Sequence, residues 1–271
     1  MRVAVIGHVE WIEFVRVDHV PAQGEIVHAL DAWAEAAGGG AVASVQLARL
    51  AGTSTLFTAV GDDHVGALVA PELAEHGVRV EAAVRPDRQR HGLTYLDSDG
   101  ERTITVIGER MGPRRSDDLP WEELEEADGV YFVSGDADAV RAARAARVLV
   151  ATARSLAALQ EAGVRVDALV RSGSDGGERY RRGDLDPPPH VEVATDGERG
   201  GTFSLDGGPT RSYEAASLPG RLQDTYGAGD SFAGGLTFAL AQGSPADEAL
   251  ALAARCGAEA LTRQGAHRSA G

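Results

Sequence analysis

An α/β fold, with a mostly parallel sheet covered by helices on both faces, is what the sequence predicts, and two observations predict it. Short apolar runs alternate with stretches whose apolar residues recur at helical spacing over most of the 271 residues, the pattern of successive strand–helix–strand units. At 43% hydrophobic residues the chain is apolar enough to bury a core of domain size. Neither a charge-rich linker nor an internal repeat divides it, so a single domain over residues 1–271 is expected.

Taken in order, Val3–Ile6, Thr55–Val60, Val130–Val133, Val148–Ala151, Ala168–Val170 and Val191–Ala194 read as buried strands. Ala41–Leu50, Val65–Glu75, Asp138–Ala146 and Ser155–Ala162 read as the helices between them. Arg141, Arg144 and Arg147 recur every three residues in an alanine-rich stretch and read as a solvated helix face. Two segments break the rhythm. Gly24–Ala34 and Gly92–Ile107 show partly polar alternation; the second reads as a hairpin, Leu93–Leu96 and Thr103–Ile107 joined through Asp97-Ser98-Asp99-Gly100. Such strands suit a small accessory sheet. Pro187–Pro189 is a stiff loop entering the strand at Val191. Near the C-terminus, Phe232, Leu236 and Leu240 share one helix face, and Gly243 ends that helix. Ser244-Pro245 then starts another, with serine as N-cap, proline at the first helical position and acids in the first turn.

Charge narrows the function. With 26 basic and 41 acidic residues the formal net charge is −15, which repels a nucleic-acid backbone. One cysteine, Cys256, cannot form an internal disulfide, and no segment has the pattern of a signal peptide or a membrane span, so a soluble cytoplasmic protein without membrane partners is expected. Cys256 itself reads as a small buried residue of the last helix, and the eight histidines have no spacing that would set zinc ligands on one face. All 26 basic residues are arginine. The absence of lysine excludes a Walker A lysine, a kinase strand lysine and a lysine Schiff base. Phosphate handling would fall to backbone amides, arginine or a metal ion.

The densest chemical signal is Asp224-Thr225-Tyr226-Gly227-Ala228-Gly229-Asp230, a glycine-rich turn that runs into a helix. Unpaired amides at a helix start point outward, and glycine removes the side chains that would block an anion. Gly227, Ala228 and Gly229 thus read as a cradle for a migrating phosphoryl group, with Asp230 at its mouth to take a proton from an attacking hydroxyl. The competing reading is an ordinary glycine-rich connection with Asp230 as N-cap.

This string matches the DTxGAGD signature of the ribokinase-like (PfkB) carbohydrate kinases, and the resemblance extends over nearly the whole chain. Gly38-Gly39-Gly40-Ala41 resembles the family's diglycine motif, and Val60-Gly61-Asp62-Asp63 with Gly66 resembles the following GxDxxG stretch. Thr195-Asp196-Gly197-Glu198-Arg199-Gly200 resembles the TxGxxG turn, and Gly265-Ala266 the closing turn after the last helix. The resemblance implies a three-layer α/β/α ribokinase-like fold with a small β lid, its strands from about 24–37 and 90–108. It also implies a kinase that moves the γ-phosphate of ATP, with Mg2+, to a hydroxyl of a sugar or nucleoside. By the matched motifs Asp230 would be the base and Gly227–Gly229 the anion hole, while Thr195, Gly197, Gly200 and Thr225 would lie near the nucleotide and Gly38, Gly39 and Gly40 near the acceptor. Lid strands in the family often pair between subunits, which makes a homodimer an option.

Three places depart from the family pattern. The acceptor-binding aspartate of a G-x-x-x-x-D motif falls on Ile12, leaving Glu10 or Glu13, with His8 nearby, to substitute. The diglycine motif continues to Val42, Ala43 and Ser44 in place of an asparagine. The N-x-x-E metal motif has Asp175-x-x-Glu178 as its nearest acidic equivalent, although Ser172-x-x-Asp175 has the better register; Asp175 and Glu178 are the candidates for the Mg2+ shell, and a solvent-exposed acidic loop is the competing reading. Ser134-Gly135-Asp136 ends a strand and reads as a helix cap, with an approach to the acceptor or nucleotide as the other option; Arg102 reads as reaching either acceptor or solvent, and Arg110, Arg114 and Arg115 as a basic surface loop, with a phosphate-bearing substrate as the other option. A nucleoside kinase and a non-catalytic sugar or nucleotide sensor remain the alternatives to a sugar kinase.

Overall fold

The computed structural model describes residues 1–98 and 102–269. Its elements run β1 (Val3–Ile6), β2 (Glu10–Arg16), β3 (Asp31–Ala37), α1 (Gly38–Ala51), β4 (Ser54–Gly61), α2 (His64–Glu75), β5 (Val78–Arg85), β6 (His91–Leu96) and β7 (Arg102–Ile107). There follow β8 (Gly129–Phe132), α3 (Ala137–Ala143), β9 (Leu149–Thr152), α4 (Leu156–Ala162), β10 (Ala168–Ser172), β11 (Val191–Thr195), β12 (Gly201–Leu205) and β13 (Arg211–Tyr213). The chain closes with α5 (Ala228–Ala241), α6 (Ala246–Ala260), β14 (Arg263–Gln264) and β15 (Arg268–Ser269).

Nine strands form the central sheet in the order β13-β12-β11-β10-β9-β8-β1-β4-β5. Strands β5 to β11 in that row are parallel, and β12 and β13 are antiparallel additions at one edge. The all-apolar run Val3–Ile6 is buried on both faces because consecutive residues enter different cores. Val3 and Val5 pack with Val45, Leu236 and Leu250 of α1, α5 and α6; Ala4 and Ile6 pack with Val140 and Leu159 of α3 and α4. This is the three-layer α/β/α arrangement. No helix among the described residues is long and apolar enough to cross a membrane.

A second sheet of four strands, β3-β2-β6-β7, stands beside the first. Its inner face places Ile12, Phe14 and Leu96 in a small core with Val42, Tyr226 and Ala266. Strand β2 was not expected from sequence, and it is held by β3 on one side and β6 on the other. The segment expected as a strand from Gly24 becomes one only at Asp31 and runs to Ala37. Of the hairpin turn expected through residues 97–100, Asp99 and Gly100 lie outside the described residues; its two strands pair antiparallel as β6 and β7.

Several local expectations change. Ser244 does not cap α6: Pro245, extended at ψ 153°, is the N-cap and the acids Asp247 and Glu248 fill the first turn. Asp230 is not a cap either, since Gly227 takes that place on α5. Asp136 caps α3, accepting the Ala139 amide at 2.8 Å. Of the three arginines after it only Arg141 lies on the helix, where it is exposed as expected. Helix α3 ends at Ala143, and Arg144 and Arg147 reach Asp167 Oδ2 at 2.7 Å and the Ala241 carbonyl at 2.6 Å.

Candidate active site

Strand order reverses beside β1: β4 and β5 lie to one side, β8 to β11 to the other. The chains leaving the carboxyl ends of β1 and β8 therefore diverge and open a crevice, the usual ligand position in such sheets. The start of α1 is pressed into this opening. A Cβ on Gly40 would stand 2.6 Å from the His8 carbonyl, and one on Gly7 would stand 2.9 Å from Gly40 Cα. Backbone meets backbone here, so no side chain fits.

The 224–230 loop enters from the other side of the crevice. Asp224 is wholly buried; its Oδ1 accepts the Tyr226 amide and its Oδ2 the Gly265 amide, both at 2.7 Å. The Tyr226 hydroxyl accepts the Gly38 amide at 3.0 Å, which joins the loop to the start of α1. Gly227 has φ +71°, and a Cβ there would lie 2.8 Å from Val42 Cγ1. Gly227→Ala is expected to cost about 1–2 kcal/mol from the left-handed backbone alone, with the Val42 overlap in addition. Gly229, with open space where its Cβ would be, should tolerate alanine within about 0.5 kcal/mol. Urea unfolding of the two variants checks the contrast, and equal destabilisation would contradict it.

The first helical bond of α5 runs from the Ser231 amide to the Gly227 carbonyl at 2.9 Å, so the amides of Ala228, Gly229 and Asp230 precede it, and no side chain caps them. Beside them, the Asp230 carboxylate packs on Gly39: a Cβ on Gly39 would be 2.9 Å from Asp230 Oδ1 and from Val133 Cγ1. Burial, then the nearby Glu178 carboxylate, pushes the Asp230 carboxyl up to about 6, against the opposing charges of Arg154 and Arg102.

Of the two glutamates in β2, only Glu10 faces the crevice. It is buried, its Oε1 accepts Arg90 Nε at 2.6 Å, and its Cγ lies 3.1 Å from where a Gly38 Cβ would stand. Glu13, at odd offset, is exposed on the opposite face, while the buried Ile12 belongs to the small core. His8 is buried with Nδ1 3.1 Å from Ser134 Oγ. Burial first, then the charges of Arg110, Arg90 and Arg154, lower its pKa to about 3, so the imidazole is neutral at pH 7.

Thr195, Gly197 and Gly200 lie farther along the same sheet edge, at the end of β11. The Thr195 carbonyl accepts the Gly173 amide at 2.7 Å, the Asp196 amide reaches the Gly200 carbonyl at 2.7 Å, and Gly200 has φ +78° with the Tyr213 carbonyl only 2.2 Å from its would-be Cβ. Thr225 instead sits beside β7, its Oγ1 accepting Arg102 Nη1 at 3.0 Å. Asp175 and Glu178 are brought together by Arg154, whose Nη2 bonds Asp175 Oδ2 and, at 2.9 Å, Glu178 Oε1. The other Glu178 oxygen accepts the Ser172 amide at 2.6 Å. Among the described residues no group of three or more His, Cys, Asp or Glu could hold a metal ion. With both candidates already bound to a guanidinium, the donor set does not fit a protein-ligated Mg2+.

Arg90, Arg154 and the holding role of Asp224 were not singled out from sequence. The arginines carry no motif, and their partners lie 80, 21 and 24 residues away. Asp224 stood in the signature, but its second partner, Gly265, is 41 residues on.

Similarity to known proteins follows the same outline. The profile of the pfkB family carbohydrate kinases matches residues 1–175 and 190–270. An ATP-dependent ribose-1-phosphate kinase of Halopiger xanaduensis is 31% identical, with 98% of this chain and 94% of that protein covered. Among solved structures, a candidate ribokinase from Agrobacterium tumefaciens superposes with a TM-score of 0.82 at 20% identity, covering 98% of this chain and 92% of that one. The Arabidopsis thaliana ribokinase complexed with ribose and ATP superposes with a TM-score of 0.76 at 19% identity, covering 98% and 95%.

Proposed function

Because this chain belongs to the pfkB family of carbohydrate kinases, we propose that it transfers the γ-phosphate of ATP to a hydroxyl of a sugar, with Asp230 as the base. One observation carries this reading: a half-buried carboxylate with a raised pKa stands beside uncapped amides at the head of a helix, in the crevice where the strand order reverses. Asp230 takes the proton of the acceptor hydroxyl as its oxygen attacks the γ-phosphorus. The bond from that phosphorus to the β–γ bridging oxygen breaks, and ADP leaves. The Gly227–Gly229 backbone faces the migrating group and offsets its charge. The Halopiger relative, by its name, uses ATP on a sugar phosphate, and the Arabidopsis ribokinase holds ribose and ATP.

On this reading the acceptor lies against Gly38–Gly40 and Glu10, under the second sheet as a lid on a single kinase domain. The nucleotide lies toward Thr195, Gly197 and Gly200, with Thr225 at the junction. Strand β7, exposed along its length, is the edge through which two lids would pair in a homodimer. No step is assigned to Mg2+, because Arg154 holds the residues that would ligate it.

The test is an ADP-release screen over pentoses, hexoses, pentose phosphates and nucleosides with ATP and Mg2+. At least one sugar or sugar phosphate should release ADP in stoichiometric amount. Release with nucleosides alone would move the chain to the nucleoside kinases, and ligand binding without release by any acceptor would make it a sensor.

A further inference from the structure

We propose that Arg110 is the specificity-determining residue of this cleft, receiving a phosphate group that the acceptor sugar already carries. The reaction rests on the kinase reading above; the residue rests on separate observations. Residues 108–112 leave β7 and cross to the carboxyl end of β8. One end of this span is fixed where the Gly108 carbonyl accepts Arg90 Nη1 at 2.9 Å, and Arg90 is itself on Glu10. The other is fixed where Gly112 lies on β8's exit, its would-be Cβ 3.3 Å from the Gly135 amide and 3.5 Å from Ser134 Oγ, the hydroxyl that meets His8. Met111 is buried between them. Arg110 is therefore held where its charge acts on His8, Glu10 and Asp230.

The other arginines whose charge reaches His8 or Asp230 are engaged. Arg90 binds Glu10, Arg154 binds Asp175 and Glu178, and Arg102 binds Thr225. The Arg110 guanidinium makes no hydrogen bond or ion pair with any described residue. Arg110 is an exposed residue, so its guanidinium stands open to an incoming anion; partial desolvation lowers its pKa against the opposing charge of Glu10. Its planar fork suits a phosphate. Its two neighbours in the basic cluster act elsewhere: the Arg114 charge falls on Asp117, and Arg115 lies over the Trp121 ring. The two anchors of the span adjoin Glu10 and His8, which the proposed reading gives to the acceptor, so the anion is assigned to the acceptor and not to ATP.

The experiment is calorimetric titration of ribose 1-phosphate and of ribose, without nucleotide, into wild type, Arg110→Gln and Arg110→Lys. Wild type should bind ribose 1-phosphate at least about 30-fold more tightly than ribose, Arg110→Gln should lose most of that ratio, and Arg110→Lys should keep part of it. If the glutamine variant unfolds, the lysine variant decides the matter, because a ratio unchanged from wild type there overturns the assignment. Equal affinity for the two sugars, binding of neither, or an unchanged ratio in Arg110→Gln overturns the assignment. So does a variant that keeps the ratio but turns over more slowly, which would place Arg110 on the migrating phosphoryl. Binding is read without turnover, so the two readings fail separately. Preference for the phosphorylated sugar with no ADP release would remove the kinase and keep Arg110. ADP release from both sugars without preference would do the reverse.

Discussion

Asp230→Asn should fold, bind nucleotide and turn over about 10²–10⁴-fold more slowly than wild type. On the proposed reading the carboxylate is the proton acceptor beside the amides of Ala228 and Gly229, and asparagine keeps its shape without its basicity. Those amides survive the change, so nucleotide affinity should hold. Unchanged turnover would remove Asp230 from the chemistry. The pH dependence of wild type carries the same signature. The base works only when ionised, so with a carboxyl at about 6, kcat/KM should fall about tenfold per pH unit below that value and level off above it.

Stability should move in the opposite direction to activity. The folded pKa of Asp230 lies above its ordinary 3.8, so between 3.8 and about 6 the native state binds more protons than the unfolded chain. Its contribution to stability is therefore lost as pH rises through that window, and at pH 7 the ionised carboxylate weakens the fold. Asp230→Asn should raise stability at pH 7 by about 1–3 kcal/mol, and the gain should vanish near pH 4. Melting curves at the two pH values decide it. A variant that is less active and more stable is the expected mark of strain kept for function.

Asp224→Ala should be the most damaging single change to the loop itself. Its two oxygens satisfy the Tyr226 and Gly265 amides in a site with no exposure to solvent. Removing both acceptors leaves two buried N–H groups unpaired, at about 1–3 kcal/mol each. A melting temperature lower by roughly 10 °C is expected. Activity should be lost as well, because the turn at Gly265 and the strand of amides ahead of α5 are then no longer tied together. Asp224→Asn can serve only one of the two donors and should fall between. A melting temperature within 2 °C of wild type, on the order of a 1 kcal/mol change or less, would show that water replaces the carboxylate.

The central sheet and its helices were legible in sequence because their signal is local. Four to eight apolar residues, as in Val3–Ile6, suffice to mark a strand buried on both faces, and the helical repeat in Val65–Glu75 marks its neighbour. The head of α5 is local too: the left-handed Gly227, the helix start and Asp230 lie within four residues. The second sheet was only half legible. Glu10–Arg16 mixes acids with apolar residues, and it is a strand because β3 and β6 pair with it. The edge strand β5 and the antiparallel pair β12 and β13 were likewise not read, since their partners hold them.

The amino-acid order alone determined the fold class, the family likeness and a glycine turn leading into a helix with a carboxylate in its first turn. Only the tertiary structure decided which of Glu10 and Glu13 faces the crevice, because the pleat of β2 and the position of the second sheet make that choice. It also decided that Arg154 claims Asp175 and Glu178, and that Arg90, Arg102 and Arg110 converge on one opening while Arg110 stays unpaired among the described residues. The physical reason is range. Apolar periodicity and glycine turns act between near neighbours in the chain, whereas the charges of the site pair across 21 to 80 residues and find one another only after the sheet has set the distance.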